Sequence, residues 1–94
     1  MHGRLNELQE RLRRARAEQR VLEEQVGYLA EVEGDAETRK LVAQTPLADR
    51  EWREARTDLD RHARSLQEKR DEVTHLELER DRLLDRLLEA EDSK

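Results

Sequence analysis

Few side chains in this 94-residue chain have the type and spacing to do chemistry. Glu72 and His75 form a Glu-x-x-His on one helical face, the motif that di-iron bundles use twice, together with two further carboxylates. The chain holds one copy and no additional carboxylates at defensible positions, so a surface pair is expected and no metal ligand is assigned. His62 is expected to lie in a hydrophobic seam, hydrogen-bonded to Gln19, rather than to hold a metal. The two serines, Ser65 and Ser93, sit on a long helix and near the terminus, and Cys is absent. That absence excludes disulfides, thiolate metal sites and cysteine nucleophiles. No catalytic residue, metal or cofactor is assigned, and the protein is not expected to be an enzyme.

Two charge blocks remain. Arg11, Arg13, Arg14, Arg16 and Arg20 offer phosphate contacts, but they scatter over several heptad positions without interleaved aromatics, in a chain of net charge −5. Nucleic acid is therefore not the expected partner, and a solvated, ion-paired helix face is. Gly3, Gly27 and Gly34 are too far apart for a phosphate-binding loop. The segment 21–37 holds six acids and no base, ending in Glu31, Glu33, Asp35 and Glu37.

The elements that position these residues follow from composition and periodicity. With 46% charged and 34% hydrophobic residues, no Phe, one Trp and one Tyr, the chain suits narrow helical seams rather than a thick core. The longest apolar runs are three residues, such as Leu41-Val42-Ala43, so no membrane span is expected and a cytoplasmic location is. Leu5, Leu8, Leu12, Ala15, Gln19, Leu22, Val26 and Leu29 recur at alternating spacings of three and four, the a/d ladder of a coiled coil. A second ladder runs from Trp52 through Ala55, Leu59, His62, Leu66, Lys69, Val73, Leu76, Arg80, Leu83 and Leu87 to Ala90. Thr45 is placed to cap the second helix, with Pro46 at its first position and Asp49 near its positive end.

The spacing predicts one all-α domain over 1–94, an antiparallel coiled-coil helical hairpin. Its first helix runs from about 4 to 33, Gly34 ends it, a short corner helix covers about 36–44, and a long helix spans about 46–91. The corner and tip, 34–47, would close a small core in which Leu41, Val42 and Leu47 meet Leu29, Val32 and Trp52. Antiparallel helices pair residues whose numbers have a constant sum, and heptad spacing allows 74, 81 or 88. The sum of 81 matches Leu29 with Trp52 and Gln19 with His62, and pairs Arg11 with Glu72 and Glu23 with Arg56. A sum of 88 places Glu18 by Glu72 and Arg16 by Arg70. The register of 81 is therefore predicted, although each exposed pair is worth only a few tenths of a kcal/mol.

In that register residues 77–94 overhang the first helix, exposing a leucine-rich face. Leu78, Leu83, Leu84, Leu87 and Leu88 are then the expected partner surface, and a second copy is its expected occupant, giving a homodimer. A protein interaction or scaffold role is the leading expectation.

The acids at the corner of such a hairpin suggest an alternative. In outline the chain resembles the Gre and DksA factors, whose coiled-coil hairpins enter the secondary channel of RNA polymerase with acidic residues at the tip. That resemblance implies a transcription-machinery regulator using Glu31, Glu33, Asp35 and Glu37. The corner reads Glu33-Gly34-Asp35-Ala36-Glu37-Thr38 and lacks the Gre tip sequence, and the Gre C-terminal domain and the DksA zinc cysteines are missing.

Overall fold

The computed structural model of the chain describes residues 2–92; Met1, Ser93 and Lys94, the last two at the end of the expected overhang, lie outside the described residues. The fold is an all-α helical hairpin of two elements, α1 (His2–Ala43) and α2 (Pro46–Asp92). No helix among the described residues is long and apolar enough to cross a membrane.

Gln44 and Thr45 alone separate the helices. Gln44 takes a left-handed conformation with φ of 53°, and its N–H donates to the Lys40 carbonyl at 3.0 Å. This is the single bond that closes a helix C-terminus when the next residue turns left-handed. The start of α2 is as the sequence predicts. Thr45 Oγ1 accepts from the Ala48 N–H at 3.1 Å, and the Asp49 N–H reaches the Thr45 carbonyl at 3.1 Å. Pro46 occupies the first helical position, where a missing N–H has no partner to lose.

The corner differs from the expectation. Gly34 lies inside α1 with no positive φ, so the break after 33 and the separate corner helix over 36–44 are absent. A glycine within a helix costs only about 1 kcal/mol relative to alanine, less than stranding the backbone groups of two new helix ends. The a/d spacing also continues past Leu29 to Glu33, Ala36 and Lys40, and Ala36 is 2% exposed. The seam thus rewards an unbroken helix.

The hairpin divides into two compact units. In Arg20–Gln67, Ala36, Ala48, Ala55 and Leu66 are buried, while Leu22, Val26, Leu29 and Leu59 are half-buried. Trp52 donates its indole N–H to Glu33 Oε1 at 2.9 Å, and Lys40 Nζ stands 3.8 Å from the centre of its ring, a cation–π contact. Lys40 also pairs with Asp49 at 3.6 Å. Glu33 and Lys40 bracket Ala36, the residue that a sum of 88 sets opposite Trp52, one heptad along from Leu29 of the predicted register. The small corner core does not form. Leu41, Val42 and Leu47 are 65%, 81% and 60% exposed, because continuing α1 in phase puts Lys40 on the seam and turns the next two residues outward.

The other unit joins the sequence up to Gln19 with the stretch from Glu68. Leu8, Leu12, Ala15, Val73, Leu76 and Leu83 form its buried cluster, with Leu5 packed against it. Arg16 donates to Glu77 at 3.0 Å, and Lys69 bridges to Glu18 at 2.6 Å. The Glu18–Lys69 contact again lies near the sum of 88. The shift shortens the expected overhang, since α1 still covers Leu83 and leaves only the last turns of α2 without it.

Candidate interaction surfaces

The side chains suited to catalysis or metal binding are drawn apart. The Glu72 carboxylate turns back to Lys69 Nζ at 2.7 Å, whereas His75 Nε2 reaches forward to Glu79 at 3.3 Å. Their motif therefore presents no shared ligand face. His62 Nδ1 lies 2.8 Å from the Asp58 carbonyl one turn back; a carbonyl only accepts, so Nδ1 carries the proton. Ser65 donates to the Arg61 carbonyl at 3.3 Å. Among the described residues, no group of three or more His, Asp or Glu side chains is placed to hold a metal ion.

The acidic residues do not gather at the turn. Glu31, Glu33, Asp35 and Glu37 precede Gln44 by about two to four helical turns, because α1 runs on through Gly34. Glu33 is held by the Trp52 indole, while Glu31, Asp35 and Glu37 are exposed. An acidic tip on the polymerase-factor plan is not what this connection presents.

The five leucines of the expected partner face separate into three groups. Leu83 is buried with Leu8 and Leu12 and is not available to a partner. Leu78 is exposed but lies six residues from Leu84, on another side of the helix. Leu84 and Leu88, 36% and 58% exposed, flank the half-buried Leu87 and form one apolar strip on the last turns of α2.

A second apolar surface went unread in the sequence. Val42 and Ala43 at the end of α1 and Leu47 and Ala48 at the start of α2 line an open groove of about 340 Å³. The signal was the ladder itself: continued past Leu29 it passes through Ala36 and Lys40, and traced back from Trp52 it reaches Ala48. Leu41, Val42 and Leu47 fall outside both ladders.

Electrostatics elsewhere are those of exposed helix faces. Glu10 is held below the ordinary carboxylate range by its hydrogen bond from Arg13, one turn on. Arg53 and Arg56 pair within α2 with Asp49 and Asp60. Compared with protein-family models, curated proteins and solved structures, the chain matches none of them.

Proposed function

We propose that this chain is a non-enzymatic interaction or scaffold protein that forms a homodimer through the C-terminal leucines of α2. The observation carrying this reading is the apolar strip of Leu84, Leu87 and Leu88 on the last turns of α2, where Leu84 and Leu88 stay exposed. Apolar side chains grouped on a helix face without cover mark an interface, and a second copy is the commonest occupant because two-fold dimers dominate soluble oligomers. The non-enzymatic part is supported by the engagement of His62, Ser65, Glu72 and His75 with groups of their own helix. A cytoplasmic location belongs to the same reading, as do the absence of a cofactor and of a membrane or nucleic-acid partner.

The test is the solution mass by light scattering over a wide concentration range, for the natural chain and for Leu84→Glu/Leu87→Glu. The natural chain is expected to be a dimer or a higher even-numbered assembly, and the double variant to lose the C-terminal contact with its helical circular dichroism unchanged. A natural chain that stays monomeric at every concentration defeats the reading.

A further inference from the structure

The groove at the helix connection is separate from the C-terminal leucines and carries its own charge pattern. Its apolar floor comes equally from both helices, Val42 and Ala43 from α1 and Leu47 and Ala48 from α2. Arg39 lines it one turn before Val42, and Glu51 lines it one turn after Leu47. The two charges therefore stand level with each other, on opposite helices, at the same distance from the turn. Both are exposed, and neither has an ion-pair partner among the described residues.

A two-fold contact requires a patch that complements itself, with residue i meeting j while j meets i. A two-fold axis running along the helices at this end lays α1 of one copy over α2 of the other at equal height. Val42 then meets Leu47 of the second copy, and Arg39 meets its Glu51, each pair occurring twice. We infer that the groove at the connection is a self-pairing interface occupied by a second copy of this chain, in a short four-helix contact. One heptad farther from the turn, Asp35 and Glu54 take the places of Val42 and Leu47 in the same arrangement. Those like charges confine the contact to the turn end. With the C-terminal strip as an independent contact, one chain then carries two different two-fold surfaces, and assembly proceeds beyond a dimer.

The experiment measures association by sedimentation equilibrium on the Leu84→Glu/Leu87→Glu background, so that the C-terminal contact is removed. A dimer is expected there. Arg39→Glu and Glu51→Arg are each expected to weaken it by at least about tenfold, since each apposes like charges twice; combined, they restore it, because the swapped pair is again complementary. Restoration identifies a second copy as the occupant, as both charges belong to this chain. A helical but monomeric Leu84→Glu/Leu87→Glu protein overturns the inference, while a dimeric natural chain would leave the C-terminal reading standing. Single swaps that leave association unchanged, or a double swap that does not restore it, overturn the inference as well.

Discussion

Lys69 Nζ lies 2.6 Å from Glu18 Oε2 on the facing helix, and the same ammonium reaches Glu72 on its own helix at 2.7 Å. One cation thus joins two carboxylates that would otherwise repel across the seam. The contact holds Glu18 below the ordinary carboxylate range, chiefly through the hydrogen bond from Lys69. Lys69 in turn is raised above its ordinary value, first by Glu18 and then by Glu72.

The sign of the pH dependence follows by linkage. Glu18 contributes stability that is complete above its ordinary value of 4.5 and is lost as pH falls through its depressed folded value. Lys69 contributes stability that is complete below 10.5 and is lost as pH rises through its raised folded value. Lys69→Met keeps the stem and removes the charge. It is expected to lower the neutral-pH Tm by about 2–5 °C and to flatten the fall in Tm on both the acid and the alkaline side. Thermal unfolding followed by circular dichroism from pH 3 to 11 checks this, and an unchanged profile would show the contact to be idle.

Gly34 is a helical interior residue, and a Cβ built on it meets nothing within 4 Å. Gly34→Ala is therefore expected to stabilise the fold by about 1 kcal/mol. Were Gly34 a left-handed helix end, alanine there would destabilise instead, so the sign of the change in denaturant midpoint decides between an unbroken α1 and a corner.

The connection should respond in the opposite way at its two residues. Gln44 holds a φ of 53° that glycine adopts without strain, and Gln44→Gly is expected to gain about 0.5–1 kcal/mol. Thr45→Ala removes the cap on the Ala48 N–H and is expected to lose about 1 kcal/mol. Urea titrations of the two variants read both signs.

Leu76 is 1% exposed and is the largest fully buried side chain among the described residues. Leu76→Ala should cost about 2–5 kcal/mol, a large fraction of the stability of a chain this size. Leu78→Ala, two residues on and half exposed, should stay within about 0.5 kcal/mol. Comparable losses from the two would mean that α2 is rotated relative to α1.

The sequence by itself determined that the chain is helical and where the second helix starts, while closure of the two helices within one chain came from the tertiary structure, since the same ladders can pair between chains. The first follows from a/d spacing sustained through Leu5–Leu29 and Trp52–Ala90, which suits helix and leaves little for a sheet or a thick core. The second follows from the local capping bonds of Thr45 and the fixed backbone angle of Pro46, both within one turn. Register was decided only by the tertiary structure. A slip of seven residues keeps a and d positions facing each other, so the choice between sums of 81 and 88 rested on which seam residues meet and on exposed charge pairs worth tenths of a kcal/mol each. Pair counting treated Glu18 beside Glu72 as repulsive; in the folded chain Lys69 enters between them, a three-body arrangement that pairwise comparison omits.

The continuity of α1 through Gly34 then followed from packing. The unbroken ladder buries Ala36 and seats Lys40 over Trp52, gains that outweigh the modest cost of one helical glycine. Fixing the turn at Gln44 and Thr45 set the rest of the surface: Leu83 went under α1, Leu84 and Leu88 stayed exposed on the last turns of α2, and Val42 and Leu47 came to face outward at the connection. Which leucine lies inside and which outside depends on where two helices stop relative to each other, and a local pattern of residues carries no term for that distance.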